Sequence, residues 1–358
     1  MTRFHLQILL AAVTAITPLA GHQPKDRFER ITPEQAGYSP EKLDELRTFL
    51  EKAGSDSLLL LHDGKVFFEW GDIRKKLLVH SMRKPLLNSL YGTQVSRGRI
   101  HLKSTLADLK VDDLPNPLTA TERTATLLDV LKSRSGVYHA AAAESDGMGQ
   151  AKPPRGSHAP GTHFHYNNWD FNLAGALYER ATGQRIYDAF YREIAQPLGM
   201  LDYQNHVGTQ AGPEAPLAAD LDGFYLFEPE RSSFPAYHFR MSAHDLALFG
   251  QLYLNHGRWK GRQLIPSAWI AFSTQPYSVI QAEYGLNYGL LWNVLTPSSP
   301  EERPSFYHTG LDVHMLGIYP KHNLVMVHRV DTEKPFRFNG NDLYQVIRRI
   351  HGARLPRP

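Results

Sequence analysis

The sequence predicts an α/β (α+β) protein in which a sheet built from both ends of the chain is flanked by helices. Apolar runs typical of strands occur near residues 58–70 and again near residues 289–330. Between them the apolar residues recur mainly at helical spacing, and prolines interrupt the pattern. We therefore expect a mostly helical domain inserted between the two halves of the sheet.

The first elements follow from local signals. Ser39 followed by Pro40 predicts the start of a helix, because serine caps helix N-termini and proline fits the first turn. Asp63-Gly64 favours a two-residue turn, so Leu58–Leu61 and Val66–Trp70 are predicted to pair as a hairpin.

The remaining elements follow from periodicity and breakers. Helices are predicted at Met82–Arg97, Leu127–Lys132, Phe171–Ala181 and Tyr187–Gln196, after Ser242, around Trp269, and at Asn341–Ile350. Strands are predicted at Gly289–Trp292, His314–Tyr319 and Leu324–Val330, with Pro320–Asn323 as a hairpin loop. We expect the folded unit to span about 30–355, with the α/β part at about 30–100 and 240–355 and the helical insert at about 101–239.

Composition excludes several kinds of chemistry. The 358 residues include no cysteine, which excludes disulfides, thiolate metal sites and cysteine nucleophiles. Lys and Arg number 39 against 36 Asp and Glu, a net charge of +3, and no run of like charges suggests a nucleic-acid partner. Glycine-rich phosphate loops are absent, so no nucleotide or other cofactor is expected. The absence of a Gly-x-Ser-x-Gly motif argues against an α/β-hydrolase.

The first twenty residues resemble a secretory signal. Arg3 precedes the apolar stretch Leu6–Ile16, and small residues including Ala20 follow. We expect residues 1–20 to be a signal peptide and the protein to be secreted or periplasmic; an apolar N-terminal helix is the alternative. The stretch is too short for a stable transmembrane helix, which needs about twenty apolar residues, and no stable transmembrane segment is expected elsewhere in the sequence.

The segment His80-Ser81-Met82-Arg83-Lys84 carries the first chemical motif. Ser81 is predicted at a helix N-terminus with Lys84 one turn later on the same face. A lysine that is partly desolvated there has a lowered pKa and can take the serine proton. The motif is weak alone, because Ser39-Pro40-Glu41-Lys42 matches it and is better explained as a helix cap.

Two later segments could complete the site. Tyr166 can transfer a proton if a cation lies nearby, and Asn168 can orient the lysine or bind a substrate amide, although a capped turn is the alternative. His308-Thr309-Gly310 precedes a predicted strand pair, where glycine permits close approach of a substrate. The N–H groups of Ser81 and Leu311 could then bind an oxyanion; a simple glycine turn is the alternative.

The three motifs in this order resemble the serine β-lactamase and penicillin-binding-protein superfamily, in particular its class C-like branch of esterases and 6-aminohexanoate-dimer hydrolases. They are Ser-x-x-Lys, Tyr-x-Asn, and His-Thr-Gly in the position that usually reads Lys-Thr-Gly. The resemblance covers about residues 35–350. It implies a β-lactamase-like antiparallel sheet flanked by helices, an inserted helical domain, and an active site between the two.

By this resemblance, Ser81 would be acylated, Lys84 and Tyr166 would be the base and acid, and Asn168, His308, Thr309, Gly310 and Leu311 would bind substrate or the oxyanion. The expected substrate is a small molecule or peptide containing an ester or amide, with β-lactams and D-peptides among the candidates. Histidine in place of the usual lysine weakens the antibiotic and peptidoglycan interpretations, since that lysine helps to bind a carboxylate.

Three further interpretations were weighed. A non-catalytic binding or regulatory protein on the same scaffold is the alternative function. His158, His163 and His165 lie close together, but the sequence offers no acidic third ligand nearby, so no metal is expected. The aromatic residues Tyr284, Tyr288, Trp292 and Tyr307 are expected to be core or to line a substrate groove.

Overall fold

The computed structural model describes residues 28–356. The predicted signal peptide at 1–20 lies outside these residues, so it stays a prediction. Within the described part of the chain, no helix combines the length and the apolar character needed to span a membrane. The α/β class is confirmed: antiparallel strands form one large sheet that is covered by helices.

Ten α-helices are found among the described residues, and a π-helical segment, Tyr191–Ala195, joins the sixth to the seventh. The helices are α1 (Pro40–Ala53), α2 (Arg83–Ser96), α3 (Leu127–Leu131), α4 (Asp146–Gln150), α5 (Asn168–Thr182), α6 (Ile186–Phe190), α7 (Gln196–Leu198), α8 (Ala243–Leu254), α9 (Ser267–Ser273) and α10 (Gly340–Gly352).

Fourteen strands are found in the same part of the chain. They are β1 (Ser57–His62), β2 (Lys65–Gly71), β3 (Leu77–Leu78), β4 (Val207–Ala211), β5 (Gly223–Phe227), β6 (Ala236–Met241), β7 (Arg258–Trp259), β8 (Arg262–Gln263), β9 (Ser278–Gln281), β10 (Leu286–Tyr288), β11 (Asn293–Leu295), β12 (Phe306–Gly310), β13 (His314–Tyr319) and β14 (Leu324–Arg329). Eight of them form one sheet in the order β2-β1-β14-β13-β12-β11-β10-β9, and β3-β6-β5-β4 form a smaller sheet.

The large sheet is built from both ends of the described chain, as predicted. Strand β1 pairs antiparallel with β14, which joins the N-terminal hairpin to the C-terminal strands. The four consecutive leucines of β1 are all buried because the strand has helices on both sides. Leu58 and Leu60 face the core beneath α1 and α10, whereas Leu59 and Leu61 face the core that includes α8.

The predicted turn at Asp63-Gly64 and the predicted serine caps of α1 and α8 are present, because each depends only on neighbouring residues. Asp63 and Gly64 both have positive φ, 49° and 77°, as the turn between β1 and β2 requires. The Ser39 side chain accepts a hydrogen bond from the Lys42 N–H and caps α1. Ser242 likewise caps α8 through the Asp245 N–H.

One predicted strand is wrong, and several strands were not predicted. Gly289–Trp292 is the tight connection between β10 and β11, closed by a 2.8 Å hydrogen bond from Gly289 N to Trp292 O. Its leucines and tryptophan are buried by tertiary packing, so the apolar run resembles a strand. The segment 101–239 contains β4, β5 and part of β6 besides its helices, and strands β3 and β7 to β12 were also missed. The domain boundaries proposed above stay a prediction.

Candidate active site

Ser81 lies in a 3-10 turn, His80–Met82, immediately before α2. His80 has a positive φ of 47°, a conformation that non-glycine residues rarely adopt outside turns and functional sites. Strand β12 packs directly against this turn. A Cβ atom at Gly310 would lie 2.4 Å from the carbonyl oxygen of Val79, so only glycine lets β12 approach so closely.

Lys84 is buried beneath Ser81. Its Nζ lies 3.0 Å from Ser81 Oγ, and its side chain is 1% exposed. Burial, followed by the neighbouring Arg83 guanidinium, holds the pKa of Lys84 well below its usual value of 10.5. The amine is therefore biased toward the neutral form that can accept a proton from the serine.

Tyr166 precedes α5 and covers the other side of Lys84. Lys84 Nζ lies 4.7 Å from the centre of the Tyr166 ring and 4.3 Å from that of Phe171. Burial raises the pKa of Tyr166 above 10.0, and a hydrogen bond with Ser81 partly opposes this shift. The Tyr166 hydroxyl therefore keeps its proton and can donate it.

Asn168 begins α5 and is 5% exposed. Its amide nitrogen donates to the carbonyl oxygen of Ala143 at 2.6 Å, which fixes the orientation of the side chain. The amide nitrogen is thus directed at a loop carbonyl, and Asn168 also lines the cavity over Ser81.

His308 is buried in β12, with its ring centre 6.3 Å from that of Tyr166. Its Nδ1 lies 2.8 Å from the carbonyl oxygen of Thr309. Because a carbonyl oxygen can only accept, Nδ1 carries the hydrogen and Nε2 keeps its lone pair. Burial, together with Lys84, lowers the pKa of His308 to about 3, so the ring is neutral near pH 7. Nε2 is buried with no hydrogen-bond partner among the described residues.

The chain reverses between β12 and β13 in the turn Gly310–Val313, which closes with a hydrogen bond from Val313 N to Gly310 O at 3.1 Å. Leu311 and Asp312, the two central residues, have φ values of 49° and 54°. These values are typical of a type I′ turn, which glycine and asparagine prefer. Both side chains are exposed, and both line the cavity.

The predicted residues meet at one cavity of about 590 Å³. It is lined by six of the eight: Ser81, Tyr166, Asn168, His308, Thr309 and Leu311. Lys84 lies beneath Ser81, and Gly310 packs against Val79 rather than lining the cavity. His308-Thr309-Gly310 lies within β12 and not ahead of the strands, which corrects the expected placement.

A buried polar network supports the Ser81 turn. His80 Nε2 lies 2.8 Å from Thr332 Oγ1, and the His80 ring stacks on His314. Nδ1 of His314 accepts from the Arg329 side chain at 3.3 Å. The Arg329 guanidinium, itself 0% exposed, also donates to the carbonyl oxygens of Leu77, Leu78 and Met241. His80, the residue before Ser81, is thus held in place by Thr332 and by His314, which in turn contacts Arg329 of β14.

Sequence reasoning missed Asp312, Phe171 and the His80–Arg329 network. The network joins residues far apart in the chain, so no local pattern could reveal it. Asp312 had a local signal, since aspartate is common in tight turns. Of the aromatic residues considered, Tyr288 and Trp292 are core, Tyr284 is exposed, and Tyr307 lines the cavity.

The described residues contain one group of three possible metal ligands within reach of a common ion: Asp202, His244 and Asp245. Structural contacts already use its carboxylates. Asp202 forms a bidentate ion pair with Arg74, and Asp245 accepts the backbone N–H groups of residues 201–203. His158 and His163 instead stack at 3.9 Å between ring centres. The expectation of no metal stays a prediction.

Comparison with known proteins gives one family. The family model described as Beta-lactamase matches residues 45–347. Among curated proteins there is no significant match.

Solved structures share the fold at low sequence identity. The proposed 6-aminohexanoate-dimer hydrolase from Bacillus anthracis is 18% identical, with a TM-score of 0.62, and the match covers 92% of this chain and 89% of the hydrolase chain. The proposed beta-lactamase from Bacteroides dorei is 17% identical, with a TM-score of 0.63, covering 88% and 99%. A penicillin-binding protein homologue from Caulobacter crescentus is 17% identical, with a TM-score of 0.61, covering 88% and 99%.

Proposed function

The chain belongs to the beta-lactamase family, and on that premise we propose that it is a serine hydrolase that cleaves an ester or amide through an acyl-enzyme on Ser81. One observation carries the proposal. A lysine that is 1% exposed lies 3.0 Å from the hydroxyl of a serine at the floor of a cavity. Burying an amine costs free energy, and a role as the proton acceptor for that serine explains why the lysine is buried there.

Acylation follows from the positions of three groups. Neutral Lys84 takes the proton of Ser81 as Oγ attacks the substrate carbonyl carbon. The carbon–oxygen or carbon–nitrogen bond to the leaving group then breaks. Tyr166 donates its hydroxyl proton to the departing alcohol or amine and regains one from the Lys84 ammonium, which restores the neutral amine.

Deacylation reverses these roles. A water molecule loses a proton to the Lys84–Tyr166 pair and attacks the acyl carbon, and Ser81 leaves with a proton as the acid is released. The N–H groups of Ser81 and Leu311 are proposed to bind the oxyanion in both steps. Neutral His308 can accept a hydrogen bond through Nε2 from the substrate or from the Tyr166 hydroxyl.

The neutral state of His308 guides the choice of substrate. A lysine at this position would attract a carboxylate, whereas a neutral imidazole cannot. This favours esters and amides that have no carboxylate over β-lactams and D-peptides, which carry one.

We further propose export to the periplasm or medium, on the basis of residues 1–20. Fractionation of cells that express the full chain, followed by N-terminal sequencing, tests this. Cleavage near Ala20 in the exported fraction is the expected result, and an intact chain in the cytoplasm contradicts it.

A fluorophosphonate probe tests the catalytic proposal. Intact-mass spectrometry should show one covalent adduct on the wild-type protein, mapped to Ser81, and none on Ser81→Ala. Release of 4-nitrophenol from short-chain 4-nitrophenyl esters should disappear in the same variant. Folded protein that takes no adduct and hydrolyses no ester would instead indicate the non-catalytic binding role.

A further inference from the structure

The cavity over Ser81 has an unusual balance of charge. Of its lining residues, Asp312 is the one that has a carboxyl side chain. The two lining histidines are neutral near pH 7, because burial lowers the pKa of His80 to about 4 and that of His308 to about 3. No lysine or arginine of residues 28–356 lines the cavity.

The Asp312 carboxylate has no ion-pair or hydrogen-bond partner among residues 28–356. Its backbone packs beside Gly340, the first residue of α10, where the helix dipole favours negative charge. A carboxylate is therefore tolerated at this place without a cationic side chain. It lies at the cavity wall with its charge still available to a ligand.

The rest of the wall suits an organic cation better than an inorganic one. The aromatic residues Phe164, Tyr166 and Tyr307 line the cavity together with Ile280 and Leu286. Aromatic faces attract ammonium groups, most strongly when water is excluded, and aliphatic side chains contact the carbon substituents. A group with a positive charge and an apolar shell matches both features.

We propose that the protein acts on esters or amides that carry an ammonium group, and that Asp312 is the residue that selects them. The proposal rests on the proposed hydrolase function and names the class of substrate for the same cavity. With a neutral His308 and an unpaired Asp312 carboxylate, the cavity should prefer cationic substrates. A cavity with a lysine in place of His308 would instead prefer substrates that carry a carboxylate.

Two matched pairs of esters test this selection. The first pair places the charge in the alcohol: butyrylcholine against 3,3-dimethylbutyl butyrate, in which carbon replaces nitrogen. The second places it in the acyl group: 4-nitrophenyl 4-(trimethylammonio)butanoate against 4-nitrophenyl 5,5-dimethylhexanoate. In at least one pair, kcat/KM of the wild-type protein should favour the cation by about fivefold or more.

Asp312→Asn should remove most of that preference and leave only the part that the aromatic residues contribute, since asparagine keeps the shape and tolerates a positive φ. Glu45→Gln is the matched control, because Glu45 is an exposed carboxylate on α1, and it should retain the wild-type ratio. Equal rates within both pairs, or a preference that is undiminished in Asp312→Asn, would overturn the proposal.

A binding measurement separates this proposal from the hydrolase proposal. If no ester is cleaved and no probe labels Ser81, the hydrolase function fails, yet the cavity can still be tested. Choline and 3,3-dimethylbutan-1-ol are then titrated into wild type and Asp312→Asn by NMR. Tighter binding of choline that is lost in the variant supports the cation site, and equal binding of the two alcohols contradicts it.

Discussion

Among single residues, Lys84 is one whose burial lowers the stability of the fold but supplies the proposed base. Its amine is buried against two aromatic rings, and the only hydrogen bond it forms within residues 28–356 is to Ser81. Its pKa is lower in the folded chain than in the unfolded chain, where it is near 10.5. The unfolded chain therefore binds more protons between those two values, so folding stability rises with pH across that window.

Lys84→Met should remove both the base and its cost. We expect kcat/KM to fall at least about a hundredfold. The free energy of unfolding should rise by about 1–3 kcal/mol, because an apolar side chain of similar length replaces a buried amine. The stability gain is largest below the folded-state pKa and shrinks as the pH approaches 10.5. Urea denaturation at several pH values measures it.

Lys52→Met is the control, since Lys52 is exposed in the last turn of α1. It should change neither quantity appreciably. A Lys84→Met variant that is less stable than wild type would show that the amine is a structural group rather than a base held at a cost.

Arg83 should set the acid limb of the pH–rate profile. Its positive charge lowers the pKa of Lys84, so replacing it disfavours the neutral amine at a given pH. In Arg83→Met we expect the acid limb of kcat/KM to move to higher pH. Arg83→Lys, which keeps the charge, should leave the limb in place. A limb that does not move in Arg83→Met would separate Lys84 from the rate-controlling ionisation.

Sequence reasoning predicted which residues meet at the cavity better than it predicted the charge of the cavity wall. Ser81 and Lys84 were expected on one helix face, and the side chains do meet, because the relation is local. Asp312 reaches the cavity only through the fold of the β12–β13 turn. Its importance depends on which charges are absent from the cavity wall, and this cannot be read from sequence neighbours.

At the level of elements, the β12–β13 turn stores backbone strain beside the site. Leu311 has a φ of 49°, although a left-handed conformation costs a branched residue about 1–2 kcal/mol. Leu311→Gly should therefore be more stable than Leu311→Ala by about 1 kcal/mol, measured by urea denaturation. Both variants lose the leucine side chain, so the comparison isolates the strain. Equal stabilities would mean that the turn relaxes without glycine.

The contact between β12 and the Ser81 turn depends on Gly310. Gly310→Ala would place a Cβ 2.4 Å from Val79 O, so the strand or the turn must shift. We expect a loss of about 2 kcal/mol in stability and a fall in kcat larger than the rise in KM. Gly352→Ala, where no atom lies within 4 Å of the added carbon, is the control. Unchanged kcat in Gly310→Ala would show that the turn is positioned by other contacts.

Elements were predicted well where their signals are local and poorly where packing decides. The hairpin at Asp63-Gly64 and the caps at Ser39 and Ser242 were recoverable from a few neighbouring residues. Gly289–Trp292 was assigned as a strand because its side chains are apolar, yet tertiary contacts bury a turn there. Strand β12, with a buried histidine and glycine among its five residues, has too polar a pattern to be recognised.

Across the whole molecule, Arg329 joins the two sheets. It lies at the end of β14 in the large sheet, and its guanidinium donates to carbonyl oxygens of β3 and β6 in the small one. These bonds satisfy a charge that is 0% exposed and has no carboxylate partner at hydrogen-bond distance among the described residues. Because β3 leads directly into Val79 and the Ser81 turn, the junction between sheets also positions the candidate nucleophile.

Replacement of Arg329 should therefore damage folding and reactivity together. Arg329→Met leaves three buried carbonyl oxygens without their donor, and each unsatisfied group costs about 1–3 kcal/mol before relaxation. Arg329→Lys restores a charge, but a single ammonium cannot reproduce the planar fork, so it should recover only part of the loss. We expect both variants to unfold at lower urea concentration. At a temperature where they remain folded, the rate of fluorophosphonate labelling at Ser81 should fall in the same order. A destabilised Arg329→Met protein that labels at the wild-type rate would show that the arginine serves the fold alone and does not hold the turn that presents Ser81.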